Sequence, residues 1–273
     1  MASPAAKTGA KQPKDRTRRK PSKKAVARKK RNNARWALAA SAVILLGALL
    51  LPRILRHIDP TTGAVAPEGF RHFVLDLSHH NGKEVRWDSL KVVLDAKGRT
   101  SKDLHAAKAI LPVQHVVLKA TEGETMKDEN FARWWAEAGQ AAYSRGAYHF
   151  FRSSRNPRKQ AQNYIQSVQL SHRDLPPVLD IESVHDGCTK EELNRNALLW
   201  LQIVEEHYGR VPIVYTSDAF ARDWLSPEIR ERYPLWIARY NRKAPRTKGW
   251  VFWQFTDRAV VYGIRGPVDL SVF

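Results

Sequence analysis

A single cysteine, Cys188, occurs in the 273 residues, so no disulfide can form within the chain. That count leaves the redox compartment open. No Cys/His spacing suited to a metal is present, and neither a metal nor another cofactor is expected. Acidic residues are almost absent from one end. Residues 1–35 carry fourteen of the 46 Lys and Arg and one acid, Asp15, which gives +13 of the chain's net +19. The extreme basicity is thus mostly a property of a tail that also lacks apolar periodicity, and residues 1–35 are expected to be disordered. Such a tail can attract nucleic acid or anionic lipid. It reads instead as a topology signal, and nucleic acid is not expected as a partner.

Charge is missing altogether from Trp36 to Pro52, seventeen residues between Arg35 and Arg53. That length sits at the short edge of what spans a bilayer. The flanking arginines can snorkel, and Trp36 suits a headgroup interface. A buried core helix would show a polar face, and this run has none. A cleaved signal peptide would need a shorter basic region and a site closer than Ala64-Val65-Ala66. The predicted organisation is a cytoplasmic tail (1–35), a transmembrane anchor (36–52), a linker marked by Pro60, Gly63 and Pro67 (53–69), and a folded domain (70–273) beyond the membrane.

From Phe70 onward strand-like runs alternate with helical ones. Strands are expected at Phe73–Ser78, His115–Lys119, Ala147–Phe151, Val178–Ile181, Val211–Thr216, Leu235–Tyr240, Val251–Thr256 and Val268–Leu270. Helices are expected from about Trp87 to Ile110 with a break at Lys97–Ser101, from an Asp128 cap to about Ser144, and from Asn156-Pro157 to about Leu170. Others run from the Thr189–Glu192 capping box to about His207, from a Ser217 or Asp218 cap to about Leu225, and for a turn or two from Ser226-Pro227. Eight strands, with helices mainly after the first five, predict an α/β fold: an irregular TIM-like (β/α) barrel of parallel strands with one site at their C-terminal ends.

Polar residues collect at those ends. Asp180 and Glu182 lie at i and i+2, so they share a strand face with Cα atoms roughly 6.6 Å apart. Two like charges so placed favour protonation of one of them, the electrostatics of acid/base work on a sugar or similar substrate. The alternative is an acidic strand end facing water. Asp76 and Asp269 fall at strand ends one and eight, which are neighbours in a closed barrel. Lys119, Glu122, Tyr148, Tyr215, Trp236, Tyr240 and Gln254 complete the candidate mouth. Acids among rings suit carbohydrate binding, although about half of the rings are expected to be core.

In order through the domain, D-L-S-H-H-N-G (Asp76–Gly82), K-A-T-E-G (Lys119–Gly123), G-A-Y-H-F (Gly146–Phe150), L-D-I-E (Leu179–Glu182), I-V-Y-T (Ile213–Thr216), L-W-I-A-R-Y (Leu235–Tyr240), F-W-Q-F-T (Phe252–Thr256) and V-D-L (Val268–Leu270) resemble glycoside hydrolase family 25, the N-acetylmuramidase lysozymes. The resemblance covers about Phe70 to Phe273. It implies a peptidoglycan hydrolase that cleaves the β-1,4 bond between N-acetylmuramic acid and N-acetylglucosamine. It further implies Glu182 as general acid and Asp180 orienting the substrate's 2-acetamido group, with Asp76 and Asp269 shaping the site. Tyr148, Tyr215, Trp236, Tyr240, Gln254, Lys119 and Glu122 would bind substrate. Peptidoglycan glycan strands are the implied partner of a monomeric catalytic domain, and the apolar run 36–52 adds the inner membrane. A chitinase-like N-acetylglucosaminidase and a non-catalytic wall-binding scaffold are the rival readings.

Overall fold

The computed structural model describes residues 62–273. The expected tail (1–35), the anchor (36–52) and the first part of the linker lie outside those residues. Among the described residues no helix is long and apolar enough to cross a membrane.

Eight strands close into a barrel. In chain order the strands are β1 (Thr62–Val65), β2 (Phe73–Leu77), β3 (Lys91–Leu94), β4 (Arg99–Ser101), β5 (Ala109–Glu122), β6 (Met126–Lys127), β7 (Ser144–Phe150), β8 (Val178–Asp180), β9 (Ile213–Ser217), β10 (Leu235–Ala238), β11 (Trp250–Val260) and β12 (Pro267–Val272). The barrel runs β2-β5-β7-β8-β9-β10-β11-β12 and returns to β2. Among the described residues five α-helices accompany it: α1 (Phe131–Gln140), α2 (Pro157–Ser167), α3 (Lys190–Tyr208), α4 (Asp218–Asp223) and α5 (Pro227–Arg232).

Strand alternation builds two layers inside the barrel. Val74, Val117, Val178, Ile213 and Phe252 form an apolar layer. Two residues further along each strand, on the same face, stand Asp76, Lys119, Asp180, Tyr215 and Gln254. The opposite faces of the strands carry Phe73, Leu75, Leu118, Leu179 and Val214 into a second core beneath the helices, with Trp134, Tyr164 and Trp200. Burial on both faces explains the unbroken apolar runs of these strands. Three expected caps form as read. Asn156 accepts from the Arg158 and Lys159 amides, Thr189 and Glu192 make a capping box, and Ser217 accepts from the Phe220 amide.

Four expectations are corrected. The barrel is not all parallel, because β12 runs antiparallel to both β11 and β2. The six residues between β11 and β12 are too few for a parallel crossover, which takes about a dozen or more. The helix expected over Trp87–Ile110 is a single 3-10 turn at Trp87–Ser89 followed by the hairpin β3–β4, which packs against the extended start of β5. Asp95 organises that hairpin's turn by accepting from the Lys97 and Arg99 amides, and Gly98 supplies φ +71°. The helix expected from Asp128 begins only at Phe131, because the Asp128 carboxylate is taken by the His79 and Asn130 amides and the His79 ring. The linker ends early: β1 pairs with β4, and Ala66 is buried. A Cβ on Gly63 would meet Thr100 Oγ1, Arg258 O at 2.6 Å and Val260 N at 2.7 Å.

Candidate active site

A cleft with about 340 Å³ of empty space opens at the barrel mouth, lined by Asp76, Tyr148, Val178, Asp180, Glu182, Tyr215, Trp236 and Asp269. All four acids singled out from the sequence meet there. Asp180, Tyr215 and Trp236 occupy one row across neighbouring strands β8, β9 and β10, which aligns them along one wall. Asp269 reaches the mouth from the first half of its strand rather than from a C-terminal end. The antiparallel direction of β12 sets it opposite Asp76.

Asp76 and Asp180 are buried, Asp269 is half-buried and Glu182 is exposed. Burial lifts Asp76 well above the usual carboxylate range, and the charge of Asp269 adds to the lift. Burial does the same to Asp180, with Glu182 and Asp76 contributing, while the Lys119 ammonium opposes. Asp269 is pushed up to about 6, first by burial. Glu182 is raised by partial desolvation of its carboxyl and then by the charge of Asp269. Asp180 acts on it through a hydrogen bond that favours the ionised form. The repulsion expected between Asp180 and Glu182 raises Asp180, and Asp269 is a further charge that raises Glu182. Asp180 Oδ1 is buried without a hydrogen-bond partner among the described residues. A carboxylate oxygen of this kind is costly to leave unpaired and available to a donor on a ligand.

The supporting residues divide by position. Gln254 is buried beneath the cleft; it donates to Asp76 Oδ2 at 3.0 Å and accepts from the hydroxyls of Tyr215 (2.9 Å) and Tyr240 (2.8 Å). It orients the site from below and does not line it. Tyr240 is 54% exposed and stands outside the lining. Trp236 lies within the cleft wall, its indole N–H given to Ser271 Oγ at 2.9 Å. Lys119 and Glu122 also fall outside the lining. Lys119 is buried, pairs with Glu122 at 2.6 Å, and acts on the acids through its charge. His149, also at a strand end, is wholly buried between Thr121 and Gln160, and burial lowers it to about 4, so it is a neutral core histidine.

Two features escaped the sequence. Asp128 holds the His79 loop beside the mouth. Asp218 holds the loop after β10, accepting from the Arg246 and Thr247 amides and the Thr247 hydroxyl while pairing with Arg239. Both look in sequence like helix-cap acids, and nothing local separates a cap from an anchor of distant backbone.

Among known proteins, the sequence model of the glycosyl hydrolases family 25 matches residues 75–264. The uncharacterized protein YegX of Escherichia coli (strain K12) is 39% identical over 163 residues, covering 59% of this chain and 59% of YegX. The chain therefore spans well under two thirds of the length of that relative. Lysozyme M1 of Streptomyces globisporus is 26% identical over 216 residues, covering 73% of this chain and 66% of its own. The solved structure of a family 25 glycosyl hydrolase from Bacillus anthracis shares the fold with a TM-score of 0.63 at 23% identity, over 77% of this chain and 92% of that one.

Proposed function

The chain belongs to glycosyl hydrolase family 25, and from that membership we propose that it is a lysozyme, an N-acetylmuramidase cleaving the β-1,4 bond between N-acetylmuramic acid and N-acetylglucosamine in peptidoglycan. The observation that carries the reading is the convergence of four carboxyls in one cleft, all raised above their ordinary range. A raised, solvent-reachable carboxyl is suited to give a proton to a leaving group near neutral pH.

In the proposed mechanism Glu182 protonates the glycosidic oxygen as the bond to the anomeric carbon breaks. Asp180, through its unpartnered oxygen, accepts the N–H of the 2-acetamido group and turns that group's carbonyl oxygen onto the anomeric carbon. This is the substrate-assisted exception to the usual two-carboxylate scheme. Water then opens the cyclic intermediate and returns a proton to Glu182. Asp269, hydrogen-bonded to Asp76, keeps a negative field near the developing positive charge. Tyr148, Tyr215 and Trp236 form the wall against which a sugar ring packs.

The proposal extends to the chain's setting: a single-pass anchor at residues 36–52, with the N-terminus cytoplasmic and the barrel on the wall side. The +13 tail ahead of an uncharged run supports it. A reporter active only outside the cytoplasm, fused after Phe273, should be active; activity of a cytoplasm-only reporter there would overturn it. Digestion of purified peptidoglycan with mass analysis of the new reducing ends tests the activity. N-acetylmuramic acid ends are expected, and N-acetylglucosamine ends would favour the glucosaminidase reading.

A further inference from the structure

A second and larger cleft, with about 930 Å³ of empty space, adjoins the mouth on one side. Its walls are the segments that follow β5, β7 and β8, and its charged lining is Glu122, Glu124, Arg152, Arg155, His185 and Asp186. Glu122, Phe150 and Asp180 occupy one row across three neighbouring parallel strands. At ~4.8 Å per strand, this cleft begins roughly 10 Å from Asp180.

Its chemistry differs from that of the acid cleft. Phe150, in the row between Glu122 and Asp180, meets two cations, Lys119 Nζ at 5.1 Å and the Arg152 guanidinium at 5.0 Å from the ring centroid. Glu122 fixes Arg152 through Nε (2.9 Å) and Nη2, and Nη1 has no hydrogen-bond partner among the described residues. Arg155 meets Asp186 only at 3.8 Å, with both side chains mostly exposed. Exposed pairs of this sort contribute little, so a ligand displaces them at small cost. Glu124 pairs with Lys159 at 3.5 Å and accepts from the Asn156 amide, and Asp186 accepts from the Ser154 hydroxyl. His185 is lowered by burial and then by the nearby Arg152, so it adds no charge at neutral pH. The cleft thus offers two guanidiniums and two carboxylates to solvent, a match for a short peptide that carries carboxylates and an amine.

We infer that this cleft binds the peptide substituent of the muramoyl sugar next to the scissile bond, with Arg152 and Arg155 holding its carboxylates and Glu124 and Asp186 facing its amine. The inference rests on the lysozyme reading and deepens it: the enzyme would select peptide-bearing glycan over bare glycan. Planar, two-pronged contact with carboxylates is what arginine does best.

The test uses the full chain on glycan strands with their peptides and on strands stripped of them by an amidase. The ratio of kcat/KM on the two substrates should favour peptide-bearing strands. It should fall about tenfold in Arg155→Ser, the size expected for one charge-assisted contact. It should fall similarly in Arg152→Gln and recover in part in Arg155→Lys. In parallel, the free tripeptide L-alanyl-D-glutamyl-diaminopimelate should bind the wild type measurably more tightly than it binds Arg155→Ser. An unchanged ratio in folded Arg155→Ser and Arg152→Gln overturns the inference while leaving the lysozyme reading intact. If the wild type cleaves neither substrate, the lysozyme reading fails, and the tripeptide measurement decides this inference by itself.

Discussion

Asp76 and Asp269 are register partners across the antiparallel ladder of β2 and β12, and both carboxyls enter the same cleft. Directly opposed acids destabilise a sheet when both are charged; here burial raises Asp76 well above the carboxylate range, and its carboxyl shares a hydrogen bond with Asp269. Asp269 is pushed up to about 6 from an ordinary 3.8. Its folded form therefore binds a proton more tightly than the unfolded chain does. Its contribution to stability is complete below about pH 4 and is lost as pH rises through about 6.

Asp269→Asn should accordingly stabilise the domain at pH 7 by on the order of 1 kcal/mol, about 2–4 °C in Tm, and should flatten the fall in stability between pH 4 and 6. Thermal melts at the two pH values check this. The same substitution removes a charge that raises Glu182 in addition to its desolvation. The basic limb of the kcat/KM profile should move to lower pH, because the acid then loses its proton more readily. A limb that stays in place or moves upward would contradict that coupling.

Gln254 joins Asp76, Tyr215 and Tyr240. Gln254→Leu leaves one carboxylate and two hydroxyls without that partner in the site. Turnover should drop by about 10-fold or more, with a loss of ~1–3 kcal/mol in stability for the unpaired groups. Turnover equal to wild type would show that the bridge does not orient the acids.

Asp218 experiences opposed effects: burial raises it, but hydrogen bonds from Thr247, Arg246 and Arg239 win and hold it at about 2. Its stabilisation is present above about pH 4 and is lost as pH falls through about 2. Asp218→Ala should cost about 3–5 kcal/mol at neutral pH, the scale for breaking a buried pair, and should loosen residues 239–249. Urea melts and hydrogen exchange over that segment measure both effects.

Gly63→Ala tests where the folded domain begins. Its methyl group would collide with backbone of β11, so a cost of ~1–3 kcal/mol is expected. A neutral change would return Gly63 to the linker.

The strand ends were the legible part of this fold. Period-two alternation in short apolar runs such as Val178-Leu179-Asp180 sets a layer of polar groups above a layer of valines, so the mouth could be assembled from sequence alone. The direction of β12 was less visible, since Val268-Asp269-Leu270 reads the same both ways and only the short connection before it forces the reversal. The β3–β4 hairpin was misread as helix because Asp95, Lys97 and Gly98 look like a break within a helical run when the amide bonds to Asp95 are unseen. Lys119 and Gln254 carry substrate-binding signals in sequence, and their depth under the cleft follows from register that no local pattern reveals.

Proton delivery by Glu182 is the step on which the proposed reaction turns. The decisive measurement is the initial rate of reducing-end release from purified peptidoglycan by wild type and Glu182→Gln, with the fold of both checked by circular dichroism. Loss of a general acid predicts a rate at least ~10²-fold lower, with the glutamine variant as folded as wild type because residue 182 faces solvent. A folded Glu182→Gln protein releasing N-acetylmuramic acid ends at near the wild-type rate would contradict the account and leave Asp76 or Asp269 as the proton donor.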